Sequence, residues 1–494
     1  MQKTQNRSLK DVLFPMSRSV EEGEGFFRIS DSTSIAADPS FEEVADLASE
    51  LLALKRGGED ILFTVQKHLA EEEYILSITP NRIVVKASTS AGAFRGFSTL
   101  RRLFLGADDQ LIPAGKIADA PSFEWRGFML DCSRHVFTPE FIKKMIDIAS
   151  LFGLNRFHWH LTDDQGWRIP IEGYPRLESI ASKRILLNYT DGRTYGQMYT
   201  KKEIAEVEAY ARKRHMIVIP EIETPGHASA LLAAYPDFGC TKGPYEVQDR
   251  WGIFDEVMCV GNDDLLTFLE EAIKQIAELF SGPYIHIGGD EAPRTAWESC
   301  PACRQRIEEE HLSHAGELQG WMTSKVARMV ANHGKKAIGW DEILDGTEHM
   351  GLPKDLIVQS WRGIQGGVEA AKRGHHVVMS PNTEGCYLDY KHIDSEEEMG
   401  NLGVSTIEQV ARFTPVPPRM DEEVKSHVLG AQVNLWTEKV TTGRQAEYML
   451  FPRLLVMAQQ LWCPQEPEKT LAKRELLERF CDKLDLVCYR GPST

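Results

Sequence analysis

The sequence predicts a (β/α)8 barrel, a TIM barrel, preceded by a small α/β domain. Three observations carry this. From Phe123 onward, eight apolar strand-like runs alternate with helical ones. Those runs end in carboxylates, imidazoles and indoles rather than ordinary turn residues. The first 120 residues follow another pattern, with a hairpin and one long helix. The expected division is 1–120 for the small N-terminal α/β domain and 121–494 for the barrel with a C-terminal helical extension.

In the N-terminal part, 61–65 and 74–78 read as strands. Pro80-Asn81 turns the chain into 82–86, rich in β-branched residues, which makes a hairpin. Ser90 is placed as the cap of a helix over 91–103. The barrel strands are expected at 124–132, 155–162, 215–222, 283–289, 336–341, 356–361, 375–379 and 428–436. Helical periodicity covers 139–152, 201–213, 262–280, 317–333, 365–373, 404–412 and 445–461. Residues 466–494 add one charged amphipathic helix outside the barrel. An open doubly wound sheet is the alternative arrangement of such units.

Bulk properties narrow the function. Hydrophobic residues make up 42% of the 494 and charged residues 26%, as in ordinary globular proteins. The net charge of −17 disfavours nucleic acid and anionic membranes as partners, since both need clustered positive charge. Behind Met1–Lys10 there is no apolar run of leader length, and nothing approaches the ~18 consecutive apolar residues of a span. The expectation is a cytoplasmic protein, or a secreted one if a leader was trimmed from this sequence. Nine cysteines, an odd count, suggest reduced thiols. Cys300-Pro-Ala-Cys303 is the one CxxC, and no second pair follows at zinc-site spacing, so neither metal nor cofactor is expected. Oligomeric state is left open.

Active sites on such barrels lie at the C-terminal ends of the strands. Those ends carry Arg126 and Asp131; His158, His160, Asp163 and Asp164; Glu221 and Glu223; Asp290 and Glu291; Trp340, Asp341 and Glu342; Trp361 and Arg362; Trp436 and Glu438. Carboxylates bind hydroxyls and flat aromatic faces stack on pyranose rings, so this rim suits a sugar. The strongest segment is Tyr284-Ile-His-Ile-Gly-Gly-Asp-Glu-Ala292, where two glycines let two adjacent acids turn into the site. Adjacent carboxylates repel, which favours one of them as a proton donor. Two other readings stand beside a glycosidase. His158 and His160 share a strand face and, with His215, His227 and His286, could serve a metal-dependent barrel hydrolase. A non-catalytic sugar-binding protein could also use the tryptophans.

Several ordered motifs then converge on one family. They are Ala91-Gly-Ala-Phe-Arg-Gly-Phe-Ser-Thr-Leu-Arg101, Trp125-Arg-Gly-Phe128, Asp131-Cys-Ser-Arg-His135, His158-Trp-His-Leu-Thr-Asp-Asp-Gln165, Pro220-Glu-Ile-Glu-Thr-Pro-Gly-His227, the Gly-Gly-Asp-Glu run, Gly339-Trp-Asp-Glu342, Tyr387-Leu-Asp389 and Asn434-Leu-Trp-Thr-Glu438. In this order the chain resembles glycoside hydrolase family 20, the β-N-acetylhexosaminidases, over nearly its whole length. The resemblance implies a retaining exo-enzyme that removes terminal β-linked GlcNAc or GalNAc by substrate-assisted catalysis through an oxazolinium intermediate. It implies Glu291 as general acid and base, and Asp290 as the residue that orients the substrate's acetamido group. It also implies Tyr387, Trp340, Trp361 and Trp436 around that group and the ring, Arg126, Asp163 and Glu438 on ring hydroxyls, His227 as support, and Asp389 at the 6-hydroxyl or acetamido region. Glu223 stands where the resemblance leads one to expect Asp, one methylene longer.

Overall fold

Eight parallel strands close on themselves. They are Trp125–Asp131, Arg156–His160, Ile217–Glu221, Tyr284–His286, Lys336–Trp340, Ile357–Ser360, Val377–Met379 and Val428–Leu435. The last strand pairs with the first from Gly430↔Trp125 to Leu435↔Leu130, which removes the open edge of a doubly wound sheet. This computed structural model describes residues 7–491 apart from 108–109, 187–190, 348–349, 397 and 419. The start of the N-terminal segment and the last three residues of the tail therefore lie outside the described residues.

Alternation sorts each strand's side chains. Trp125, Ile219, Tyr284, Ile338, Ile357 and Val378 point inward and form an apolar plug inside the barrel. Phe128, Leu130, Phe157 and Trp159 point outward into the larger core shared with the helices. Helices Pro139–Leu151, Lys201–Arg212, Asp263–Leu279 and Glu317–Asn332 cover the barrel where their periodicity predicts them. The expected helix over 445–461 is instead two, Gly443–Leu450 and Arg453–Trp462. Pro452 lacks the N–H that would continue the first. The tail likewise holds two short helices, Pro467–Leu471 and Arg474–Lys483, rather than one.

The N-terminal part is a seven-stranded mixed sheet, larger than its sequence signals suggested. Its order is Ser19–Arg28, Leu111–Asp119, Tyr74–Thr79, Arg82–Ala87, Ile61–Val65, Ser34–Ala37 and Lys55–Arg56. The hairpin pairs from Tyr74↔Ala87 to Thr79↔Arg82. Helix Ser90–Gly106 starts one residue earlier than expected, because Thr89 caps it by accepting from Gly92 N. This helix lies between the sheet and the barrel helices, and most of its residues are buried. Its Arg95 and Arg102 donate to the terminal carbonyls of helix Pro139–Leu151, at Ser150 O and Leu151 O. Cations at a helix C-terminus satisfy the orphan carbonyls and the dipole together.

One carboxylate ties the two parts. Glu72 Oε1 lies 2.7 Å from both Arg95 Nε and Arg126 Nη2. Burial opposes its ionisation, yet Arg95 and Arg126 hold its carboxyl down at about 2. That stabilisation is present above the unfolded carboxyl value of about 4.3 and is lost as pH falls towards about 2. Glu72→Ala leaves two buried guanidiniums without their counter-charge. We expect it to lower the unfolding free energy by about 3 kcal/mol in urea titrations at neutral pH. A change near zero would show that the arginines do not depend on Glu72.

Candidate active site

The fourth strand, Tyr284–His286, runs into Ile287-Gly-Gly-Asp-Glu291. Gly288 (φ +68°) and Gly289 (φ +108°) adopt left-handed backbone, and a Cβ on either would overlap Glu223 or Ile343. Glu291 itself has φ +47°, and so does His227 on the loop after the third strand. Strained non-glycine backbone of this kind marks functional sites. The two residues face each other, with His227 Nε2 at 3.4 Å from Glu291 Oε2 and 3.6 Å from Asp290 Oδ2. One imidazole thus reaches both acids.

Beneath them, inside the barrel, the buried carboxylate of Glu221 sits among nitrogen groups. Trp340 Nε1 donates to its Oε1 at 2.8 Å, and His160 Nδ1 bonds its Oε2. His286 Nδ1 lies 2.7 Å from Oε1 and His158 Nε2 3.0 Å from Oε2. Burial opposes the charge, but His286, His160 and His158 hold the Glu221 carboxyl well below its ordinary value. His158 accepts from Gln432 Nε2 on its other nitrogen, and burial pulls it down to about 4, leaving it neutral. Burial also disfavours charge on His160, but Glu221 and Asp163 outweigh it and raise the ring to about 10. These histidines could be metal ligands by type, but Glu221 already engages four nitrogens with its two oxygens. His215, on the opposite side of the barrel, bonds Ser90 Oγ and is not part of the group.

The charge continues upward through Asp163. Its Oδ2 takes His160 Nε2 and Arg134 Nη2, each at 2.9 Å, and its Oδ1 accepts from Asp164 N at 2.7 Å. Asp164 Oδ2 lies 3.0 Å from His227 Nδ1, with Ser229 donating to its other oxygen. Burial disfavours a charged His227, but the charge of Asp163, with the acceptor oxygen of Asp164 and the nearby Asp290, raises it well above its ordinary value. It is therefore an imidazolium next to Glu291. Glu223 behaves oppositely. Burial, then the charge of Asp290, raises it well above the ordinary range, and neither of its oxygens has a hydrogen-bond partner. It is a neutral acid.

A cavity of about 320 Å³ opens above Asp290 and Glu291. Trp361, Tyr387 and Trp436 form aromatic walls, with Trp361 and Tyr387 rings stacked at 6.2 Å. Asp389, Glu438, His227 and Arg134 supply polar walls. Asp290 Oδ1, Asp389 Oδ1 and Glu438 Oε2 are buried oxygens without a donor among the described residues. Buried acceptors are normally paired, so three around one cavity call for a ligand rich in hydroxyl or amide N–H groups. Burial and Glu438 push Asp389 up to about 7. Trp361 Nε1 donates to Glu342 Oε2 at 2.7 Å, and burial with Asp290 and Asp341 raises the Glu342 carboxyl to about 9.

Eight of the predicted site residues meet here: Asp290, Glu291, His227, Trp361, Tyr387, Asp389, Trp436 and Glu438. Three do not. Arg126 points outward from the first strand to Glu72 and to Gly153 O, far from the cavity end, because its position has outward parity. Asp163 has both oxygens spent on protein partners and lies behind Arg134 and His227. Trp340 is one layer deeper, 5.9 Å from the Trp436 ring, with its nitrogen on Glu221. Arg134 was overlooked as a wall residue. It lies within the Asp131–His135 motif, past the strand end, and stacks over Trp436 at 5.1 Å. Asn401, which donates to Asp389 Oδ2 at 2.8 Å, carried no signal, since it opens the short strand Asn401–Val404 outside every motif.

Comparison with known proteins agrees with this geometry. The profile "Glycosyl hydrolase family 20, catalytic domain" matches residues 123–465, and "Glycosyl hydrolase family 20, domain 2" matches residues 11–120. The chain is 36% identical to a Porphyromonas gingivalis beta-hexosaminidase over 97% of its own length, and spans 63% of that relative. It is 32% identical to a Vibrio furnissii beta-hexosaminidase, covering 90% of this chain and 76% of the other. Among solved structures, a Vibrio harveyi GH20 exo beta-N-acetylglucosaminidase in complex with N-acetylglucosamine superposes with TM-score 0.88 at 28% identity, covering 98% of this chain and 78% of that one. A mutant Streptomyces plicatus beta-hexosaminidase in complex with its product GlcNAc gives 0.86 at 28% identity, covering 99% and 98%. With its catalytic barrel and its preceding domain both matched, the chain belongs to glycoside hydrolase family 20.

Proposed function

We propose that this protein is a retaining exo-β-N-acetylhexosaminidase that removes terminal β-linked GlcNAc or GalNAc with the help of the substrate's own acetamido group. The observation that carries the reading is the trio of carboxylate oxygens, unpaired among the described residues, around an aromatic-walled cavity beside Glu291. The cavity is at the small end of ligand pockets, ~300 Å³, which suits one sugar ring and hence exo action.

In this reading Glu291 Oε protonates the glycosidic oxygen as the bond to C1 breaks. The acetamido carbonyl oxygen attacks C1 from the other face and closes an oxazolinium ring. Asp290 Oδ1 accepts the acetamido N–H and stabilises the positive charge that develops there. Glu291, now a carboxylate, takes a proton from water, whose oxygen attacks C1 as the C1–O bond of the oxazolinium ring breaks, which regenerates the acetamido group and gives the β-anomer. His227 reaches both acids from one side, so the pair converges rather than straddling the bond, as two carboxyls ~5 Å apart would in an enzyme with a protein nucleophile. An intramolecular nucleophile removes that requirement and arrives already positioned. Trp361, Tyr387 and Trp436 would pack on the ring and acetamido group, while Asp389 and Glu438 would accept from ring hydroxyls and Arg134 would donate to them.

Glu291→Gln should lower kcat on substrates with poor leaving groups by about 10³-fold while circular dichroism stays native; wild-type rates in that variant would sink the assignment. Asp290→Asn should cost about 10²–10³ in kcat on acetamido sugars. Glu223→Gln should cost little, because the side chain is already neutral, and a loss as large as that of Asp290→Asn would show that Glu223 works ionised. NMR of the first product from aryl β-GlcNAc should show the β-anomer, and inversion or faster hydrolysis of aryl β-glucoside would contradict the proposal.

A further inference from the structure

The fold gathers four cysteines that the sequence scatters. Cys240 follows the short turn Pro236–Phe238, Cys259 lies further along the same loop, and Cys300 and Cys303 open helix Pro301–Glu309. The expectation that Cys300-Pro-Ala-Cys303 lacks partners is thereby corrected: they come from 41 and 60 residues upstream of Cys300, too far for any spacing rule. Sulfur–sulfur distances are 3.8 Å for Cys240–Cys303, and 3.7 Å for both Cys259–Cys300 and Cys259–Cys303. All four sulfurs lie within 4.8 Å of one another. A tetrahedron with metal–sulfur bonds of about 2.3 Å has edges of about 3.8 Å. Cys259 and Cys303 each touch two sulfurs, an arrangement that pairwise disulfides do not produce.

The surroundings favour thiolates around a cation. Cys259, Cys300 and Cys303 are buried and Cys240 is half-buried. Cys300 and Cys303 occupy the N-cap and third position of their helix, where the dipole stabilises negative sulfur. Gly261 follows Cys259 by two residues and packs against Cys303. Its backbone presses so closely on Ala302 and Cys303 that any side chain would overlap them, which explains a glycine there.

We propose that Cys240, Cys259, Cys300 and Cys303 bind one structural Zn²⁺. Four protein ligands close the coordination sphere and leave no position for water or substrate, so the site is structural rather than catalytic. Soft thiolates in tetrahedral array select zinc over hard cations. Its place in the fold gives it a purpose. Cys240 and Cys259 lie on the loop that also bears His227, and Cys300 and Cys303 follow the loop that bears Asp290 and Glu291. Met258 N donates to Pro225 O within the first loop, and Trp297 Nε1 donates to Met258 O, so a hydrogen bond already links the first loop to the second. The metal would lock them at the point where no regular strand or helix does.

The test uses full-length protein purified without metal affinity resin or chelator. Elemental analysis should find about one zinc per chain. An organomercurial should release it in step with four thiols that a disulfide-exchange reagent does not reach beforehand. Removal of zinc should lower the thermal midpoint by several degrees, restored by Zn²⁺ and not by Mg²⁺. Cys303→Ser should lose the zinc; if it does not fold, release and reconstitution of the native protein decide the matter. Native protein with little zinc and four freely reactive thiols would overturn the proposal. So would equimolar iron, or a mass four hydrogens short, which signifies two disulfides.

Discussion

Glu221 is a carboxylate with no exposure to water, surrounded by three imidazoles and an indole N–H. A charge in that position is tolerable only if its partners are fixed, and removal of one partner from such a buried pair typically costs about 3–5 kcal/mol. Its demand for partners orders the barrel interior. It holds the inward side chains of the second, fourth and fifth strands in one layer, above the apolar plug and below the cavity. Trp340 and His160 in turn contact Trp436, so the wall of the cavity rests on that layer.

From this layer a chain of charges rises to the reacting end. Glu221 supports the His160 imidazolium, which bonds Asp163, which with Asp164 supports the His227 imidazolium beside Glu291. Signs alternate at each step, and every member is buried or nearly so. In low dielectric such alternation is strong and each link polarises the next. The neutral Glu223 fits the same logic. Burial and the neighbouring charge of Asp290 outweigh the attraction of His227, so the proton stays.

Much of the fold was legible because local and global signals agree. Each of the eight barrel strands falls on a run identified from the sequence, and eight of the residues expected at the site line one cavity. Where the reading failed, position relative to the chain misled. Arg126 lies in the right motif but has the wrong parity on its strand. Asp163 and Trp340 lie at the right strand ends but one layer too deep, because their polar atoms are consumed by neighbours. The helix break at Pro452 was readable from the proline itself and was overridden by a continuous apolar stripe on either side.

By itself the sequence determined the alternation of strand and helix, the glycine pair that lets Asp290 and Glu291 turn inward, and the family in whose order its motifs fall. These depend on residues adjacent in the chain, where periodicity and backbone freedom act directly. Only the tertiary structure decided which polar groups face the cavity and which are spent on one another, and that four cysteines spread over 240–303 share one tetrahedron. Those outcomes depend on where barrel closure places distant loops, and hydrogen bonds and sulfur contacts are short enough that a displacement of one layer changes every partner.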